Sequence, residues 1–252
     1  MIAARDLAPS QLDSALGRTS PILKLAIAIV WLLGLATTVA FAPPLILAGV
    51  ALFAGLSLGG IPRPDLARAL APLWLAAIGL ATFNTLFGAT NSDSSVATLV
   101  QIGPFRVTGP ALAAGIGLGL RVAAIGAVGA VFALTTDSTR LADSLVQQGH
   151  LPERFAYGAL AAYGAVPRFG EDLTTLRQAR RIRGLRGGWH PRLLVSLLVL
   201  AIRHGDRMAI AMDARGFGSR PRSRYREVRW SWLDLAVGLG AALALVAALA
   251  IR

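Results

Sequence analysis

Five apolar runs alternate with polar stretches along the chain and set its architecture. They cover approximately residues 24–40, 45–58, 69–89, 111–134 and 232–251. A helix of about 20 apolar residues crosses the hydrocarbon core of a bilayer, and a shorter run crosses it with help from flanking residues. The pattern therefore predicts an all-α integral membrane protein with about five transmembrane helices.

The stretch between the fourth and fifth runs has a different pattern. Apolar residues recur there with the period of an α-helix, while charged residues occupy the other faces. The longest of these helices is expected to start at Pro191, and it carries on one face Leu193, Leu197, Leu200, Met208 and Met212. Its continuous apolar core, residues 193–202, is too short to span a membrane. We therefore expect amphipathic helices before the last span, with Pro167 dividing an earlier helical stretch in two.

These patterns divide the chain into three parts. Residues 1–134 are expected to form an N-terminal membrane domain of about four spans, and residues 135–229 a domain of amphipathic helices. Residues 230–252 are expected to form the last transmembrane helix. Trp230 and Trp232 at its entry suit a membrane interface, where amphipathic aromatic rings are enriched.

The positive charge is concentrated in the second of these parts. The chain has 252 residues, of which 55% are hydrophobic, a mean hydropathy of +0.61 and a formal net charge of +12. Of its 25 lysines and arginines, 17 lie between Thr135 and Arg229, against 8 acidic residues. A basic block between membrane segments marks the cytoplasmic side rather than a surface for nucleic acid. We expect a multi-pass plasma membrane protein with residues 135–229 in the cytoplasm, and no cleaved signal peptide.

Two helix ends in the basic block share one pattern. Ile182-Arg183-Gly184 and Ala214-Arg215-Gly216 each place an arginine and a glycine at the predicted end of a helix. The last carbonyls of a helix lack partners and carry partial negative charge, which holds a cation there. The guanidinium then projects a fork of donors beyond the helix end. A partner protein, a capping role or a lipid phosphate would each account for one such end, and the repetition favours a partner.

A further arginine, Arg121, lies within the fourth apolar run. A charged side chain at that depth costs several kcal/mol unless it faces protein or reaches the headgroups. We expect it to face the helix bundle, with the alternative that it reaches the membrane surface.

The sequence gives little support to catalysis within this chain. It contains no cysteine and only three scattered histidines, so we expect no metal site. It has no phosphate-binding loop of the G-x-x-x-x-G-K-[ST] type. The segment Gly55-x-Ser57-x-Gly59 has the spacing of a serine nucleophile, but no histidine lies in any apolar run to act as its base. We therefore expect no enzyme activity and no cofactor.

The basic block resembles the transmembrane T component of energy-coupling factor transporters, a branch of the ABC transporters that imports vitamins and transition metals. LRQARRIRGL, residues 176–185, is similar to the family's first signature, and AMDARGFGSRPRSRYRE, residues 211–227, to its second. The similarity covers approximately residues 135–234. The first signature departs from the pattern because Ile182 stands where the family has alanine.

The resemblance implies a division of labour among several subunits. Two cytoplasmic ATPases bind ATP, a separate S component captures the substrate, and the T component couples them without catalysing a reaction. By this analogy Arg183 and Arg215, with their flanking signature residues, each engage one ATPase subunit. The residues expected to dock the S component are Leu193, Leu197, Leu200, Met208 and Met212. The expected partners are thus the two ATPases, the S component and membrane lipid, with no nucleic acid.

Two other classes of protein stay open at this point. A membrane-anchored scaffold would use the basic block to bind anionic lipid, and it would tolerate exchange of arginine for lysine, as a bidentate arginine socket does not. A membrane-embedded enzyme that transfers lipid headgroups would need a run of spaced aspartates around Asp213-Ala214-Arg215, and the sequence has none there.

Overall fold

A computed structural model of the chain describes residues 11, 13–38, 40–93, 95–103, 105–185, 190–219 and 226–251. These residues form two compact units. The first, which we call the membrane unit, contains the described residues up to Leu141 and those from Arg229 onward. The second, which we call the arginine unit, is Ala142–Val228. Each is described by itself below.

The membrane unit is built on five apolar helices. They are α2 (Pro21–Ala36), α3 (Ala42–Ser57), α4 (Arg63–Phe87), α5 (Gly109–Thr135) and α9 (Trp232–Ala250), preceded by the short α1 (Ala15–Arg18). Three segments are long and apolar enough to cross a membrane, namely Arg63–Ser92, Gly109–Thr135 and Trp232–Ala250, whereas α2 and α3 are shorter. The prediction of an all-α membrane protein is confirmed, with apolar helices at all five predicted places.

Two local features complete this unit. Pro43 and Pro44 lie in the first turn of α3, where a missing N–H costs nothing. A small antiparallel hairpin, β1 (Thr98–Ile102) and β2 (Phe105–Thr108), follows a 3₁₀ turn at Ala89–Ser92. Arg106 on β2 is fully engaged locally, because its guanidinium donates to Thr98 Oγ1 and to the carbonyls of Asp93 and Val96.

Glycines let α4 and α5 approach closely. A Cβ built on Gly115 would lie 2.1 Å from Thr85 Oγ1 and 2.7 Å from the Ala81 carbonyl, and one on Gly119 would lie 2.8 Å from the Ala81 Cβ. Small residues at a helix contact permit this packing, which drives association in lipid where there is no water to exclude. The glycine-rich pattern of α5 is therefore a packing surface.

Buried polar groups join the chain at one end of the membrane unit. Lys24 is only 7% exposed, and its Nζ donates to the carbonyls of Thr135 (2.6 Å) and Leu16 (3.0 Å). Asp234, in the first turn of α9, accepts from the backbone N–H groups of Ser20 (2.6 Å) and Ser231 (2.7 Å). The starts of α2 and α9 and the end of α5 are thus held by charge-assisted hydrogen bonds inside the unit.

The arginine unit is built on two long helices, α7 (Glu153–Ile182) and α8 (Pro191–Ala214), preceded by α6 (Ser138–Gln147), whose first turn belongs to the membrane unit. Helix α7 is continuous through Pro167, so the prediction that Pro167 divides two helices is wrong. A proline inside a helix leaves the carbonyl four residues earlier without its partner. That residue, Tyr163, is 52% exposed, so water can take the place of the lost donor.

Candidate functional site

The first predicted helix end is a Schellman motif, a helix terminus closed by a left-handed glycine. Helix α7 ends at Ile182, Arg183 caps it, and Gly184 has a φ of +72°. The N–H of Gly184 donates to the Arg181 carbonyl at 3.1 Å, and that of Leu185 donates to the Arg180 carbonyl at 3.1 Å. These two bonds define the motif and satisfy carbonyls that the helix itself leaves unpaired.

The second predicted end repeats this geometry. Helix α8 ends at Ala214, Arg215 caps it, and Gly216 has a φ of +73°. The Gly216 N–H donates to the Asp213 carbonyl at 2.9 Å and the Phe217 N–H to the Met212 carbonyl at 3.0 Å. In both motifs the glycine stands at the one position whose backbone conformation disfavours any side chain. The arginine therefore sits at a fixed place relative to the helix axis, one residue before the chain reverses.

Both arginine side chains lack a partner among the residues that the structure describes. Arg183 and Arg215 are exposed, and the guanidinium of neither makes a hydrogen bond or ion pair with those residues. Ile182, beside Arg183, is 87% exposed, more than any other large apolar side chain that the structure leaves exposed. The Arg183 guanidinium and the exposed Ile182 side chain together offer the charge and the apolar area that a binding pocket on a partner protein recognises.

The two ends lie far apart on the arginine unit. The Arg154 guanidinium, near the start of α7, is 3.1 Å from the place of a Cβ on Gly218, so the second motif lies near that start. The first motif is at the other end of the same 30-residue helix. At 1.5 Å per residue, the separation is on the order of 40 Å. One small partner surface does not reach both ends, so two separate contacts are the natural use of this arrangement.

A cationic groove adjoins the second end, and the sequence did not predict it. It encloses about 390 Å³ and is lined by Arg168, His204, Arg207, Met208, Ala211, Met212 and Arg215. Arg168 comes from α7 and the others from α8 and its cap, so the groove exists only because the two helices pack together. Its polar lining is cationic, which fits an acidic partner surface.

The residues expected to dock an S component lie on the inner face of α8. Leu193 is 3% exposed, and the other four, Leu197, Leu200, Met208 and Met212, are half-buried. The exposed apolar residues of α8 lie elsewhere on the helix and include Leu194, Val195, Leu198, Val199 and Ile202. The buried position of Leu193 reserves it for packing inside the unit, and a docking role for the other four stays a prediction.

The described residues hold no group of three or more His, Cys, Asp or Glu side chains that could bind a metal.

Comparison with known proteins gives one family throughout. The family model described as CbiQ, cobalt transport protein, matches residues 17–225. The chain is 29% identical over 153 residues to the energy-coupling factor transporter transmembrane protein EcfT of Listeria innocua, covering 54% of this chain and 58% of that protein. It is 28% identical over 208 residues to EcfT of Heliobacterium modesticaldum, with 76% of each chain covered. For EcfT of Bacillus subtilis the identity is 28% over 156 residues, and the chain spans 59% of that protein. The chain thus spans less than two thirds of the Listeria and Bacillus proteins.

Proposed function

The chain belongs to the CbiQ family, described as cobalt transport proteins, and we propose that it is the coupling subunit of an energy-coupling factor importer. In this role it binds two cytoplasmic ATPase subunits through the arginine unit and a substrate-binding S component in the membrane. It catalyses no reaction itself and needs no cofactor. The choice of vitamin or transition metal belongs to the S component.

One observation carries the proposal, the pair of matching helix ends. Two Schellman motifs each hold an exposed arginine without a described partner at the end of a long helix, on the order of 40 Å apart. An arginine fork makes orientation-dependent, bidentate bonds to carboxylates or backbone carbonyls. We infer that Arg183 enters one ATPase subunit and Arg215 the other, with Ile182 and Ala214 flanking the contacts.

Rigid helices behind the two ends allow movement to pass from the ATPases to the rest of the transporter. A helix transmits a displacement of its end along its axis, whereas a flexible loop absorbs it. When ATP draws the two ATPases together, we expect the ends of α7 and α8 to move with them. The apolar face of α8 with Leu197, Leu200, Met208 and Met212 is then available to transmit the movement to the S component, if the packing of α7 on α8 loosens.

A membrane-anchored scaffold for anionic lipid is the second candidate, and the basic groove beside Arg215 favours it. Lipid phosphates need positive charge without a fixed geometry, so lysine would serve there nearly as well as arginine. The capped ends are more specific than that role requires, and for this reason we place it second.

The test is co-purification of the ATPase pair with the full chain in detergent. We expect the wild type to retain both ATPases and the Arg183→Ala/Arg215→Ala double variant to lose them. Each buried charge-assisted contact removed at an interface costs about 2–5 kcal/mol, which corresponds to roughly 30-fold or more in affinity per site. Arg→Lys at both positions should also weaken capture, because lysine lacks the fork.

The matched control is Arg192→Ala/Arg203→Ala, which removes two exposed arginines of α8 that lie outside both signatures. This control lowers the net charge by the same amount and should leave ATPase capture unchanged. Equal loss in the control would show that the arginines act only as bulk charge. Full capture by the double alanine variant would show that they do not hold the ATPases, and either result favours the lipid scaffold.

A further inference from the structure

Arg121 is an arginine in the membrane unit whose hydrogen bonds are incomplete. It lies near the middle of α5, and its Nη2 group donates to the Thr38 carbonyl just after α2. Its Nε is buried without a partner, and the described residues offer its Nη1 group no hydrogen bond. A guanidinium stays charged and carries five N–H donors. Most of the donor capacity of this side chain is therefore unused by the residues that the structure describes.

Thr38 presents a second unused donor at the same place. The residue is 5% exposed, and its Oγ1 is buried without a hydrogen-bond partner. Because Arg121 already contacts the Thr38 backbone, the hydroxyl and the guanidinium belong to one site. A buried polar group without a partner is costly, and so is a charge in an apolar bundle. The described residues supply no carboxylate to Arg121, so an anion from outside the chain would complete the site.

The depth of the site follows from two contacts between α2 and α5. Lys24 bonds the Thr135 carbonyl, and Arg121 bonds the Thr38 carbonyl. Fourteen residues separate Lys24 from Thr38, and fourteen separate Arg121 from Thr135. At the rise of an α-helix, the two contacts are therefore about 21 Å apart. The hydrocarbon core is about 30 Å thick, which leaves Arg121 about 9 Å below the opposite boundary if Lys24 marks the first. An arginine side chain reaches the headgroup layer over such a distance.

Beyond Arg121, helix α5 continues for twelve residues toward Gly109, about 18 Å, whereas α2 has already ended. Phe41, three residues beyond Thr38, is 62% exposed, and Ala114, two turns from Arg121 on the same face of α5, is exposed as well. The place where α2 ends and α5 continues thus combines the cation of Arg121 with exposed apolar side chains. An amphiphile with an anionic head has the same two properties.

We propose that Arg121 and Thr38 form a binding site for the phosphate of a membrane phospholipid, in the leaflet away from Lys24. The guanidinium donates its unused N–H groups to the phosphate oxygens, and the Thr38 hydroxyl donates one more hydrogen bond. Phosphate oxygens match the planar fork of an arginine. The acyl chains lie along the exposed side chains of Phe41 and Ala114. This site is separate from the arginine ends and does not depend on the proposed coupling role.

The experiment is native mass spectrometry of the delipidated full chain, titrated in detergent with phosphatidylglycerol. We expect Arg121→Gln to bind one fewer lipid specifically. The apparent affinity of that site for the lipid should fall by about tenfold, the effect of losing one charge-assisted contact. Arg121→Lys keeps the charge and loses the fork, so it should weaken binding by only about threefold. Thr38→Val, which has the same shape without the hydroxyl, should give a similar small loss. Diacylglycerol, which lacks the phosphate, should not compete.

Arg106→Gln is the matched control, because Arg106 has its donors engaged inside the hairpin, and it should leave lipid binding unchanged. Unchanged affinity in both Arg121 variants would overturn the proposal. So would competition by diacylglycerol equal to that of phosphatidylglycerol, or displacement by millimolar inorganic phosphate. If isolated variants bind lipid normally and lose only the S component, Arg121 serves a protein contact instead. If Arg121→Gln does not fold, the Arg121→Lys and Thr38→Val titrations decide.

Discussion

The two units use cationic side chains in opposite ways. In the membrane unit, Lys24 and Arg140 donate to backbone carbonyls, at 2.6 Å to Thr135 and at 2.5 Å to Gly17. In the arginine unit, Arg183 and Arg215 stand at capped helix ends, and their side chains make no hydrogen bond or ion pair with any residue that the structure describes. The first pair holds segments of its own chain together. The second pair has its geometry fixed by the backbone while its donors stay free, the arrangement expected of groups that bind another molecule.

Glycine shows the same division. In the membrane unit Gly115 is required because no space exists for a side chain next to Thr85. In the arginine unit Gly184 has open space around it and is required for its φ of +72°. One residue type thus answers a packing constraint in the first unit and a conformational constraint in the second. The composition of the two units does not separate these roles, and only the local geometry does.

The largest expected effect tests the structural role of Lys24. Lys24→Met keeps the length of the side chain but leaves the buried carbonyls of Leu16 and Thr135 without a donor. We expect the free energy of unfolding to fall by about 3 kcal/mol, because unsatisfied buried groups cost about 1–3 kcal/mol each. Denaturation of the full chain in detergent measures it. Arg63→Met, at an exposed position, is the control, and an equal loss there would remove the distinction between the two kinds of cation.

The next effect tests glycine as a packing residue. Gly115→Ala places a methyl group 2.1 Å from Thr85 Oγ1, so α4 and α5 must separate. Overpacking of this kind costs about 1–3 kcal/mol, and we expect a loss near 2 kcal/mol in the same assay. Gly129→Ala on the same helix meets nothing within 4 Å and should be neutral or slightly stabilising. Similar losses for both variants would mean that helix propensity, not the contact, governs this helix.

The smallest effect tests glycine as a conformational residue. Gly184→Ala meets nothing within 4 Å, so its only cost is the left-handed backbone, about 1 kcal/mol. The cost should appear locally, as faster hydrogen exchange of the Leu185 amide and weaker capture of the ATPases. Gly158→Ala, in the interior of α7 and also in open space, should slow exchange slightly instead. Exchange that becomes faster for Gly184→Ala and slower for Gly158→Ala would support the capped-end geometry. A change in the same direction for both variants would contradict it.

Features governed by local rules could be predicted from the sequence. The five apolar helices are predicted by long runs of apolar residues. The two arginine ends are predicted by the glycine after each arginine, because glycine commonly ends a helix in the left-handed conformation. The small hairpin has a local signal as well, the alternation around Gly103, which has a φ of +57°.

Features that depend on tertiary contacts could not be predicted in this way. The continuity of α7 through Pro167 goes with the exposure of Tyr163, the residue four positions earlier, which no local pattern contains. The groove beside Arg215 needs Arg168 from another helix. Helical periodicity correctly grouped the residues around Leu193 on one face of α8, but it does not say whether that face packs inside the chain or meets a partner. Arg121 was expected to face the bundle, and its contact with Thr38 depends on how α2 and α5 align.

The burial of Lys24 has a practical consequence for chemical labelling. It is the only lysine in the sequence. A primary amine that is 7% exposed and bonded to two carbonyls reacts with an acylating reagent only when the surrounding helices part. One ε-amine adduct per molecule, resolved by peptide mapping from any α-amine adduct, would therefore time the opening of that end of the bundle. The chain carries its own single-site reporter, and no engineered cysteine or dye is needed to follow this opening in the purified protein.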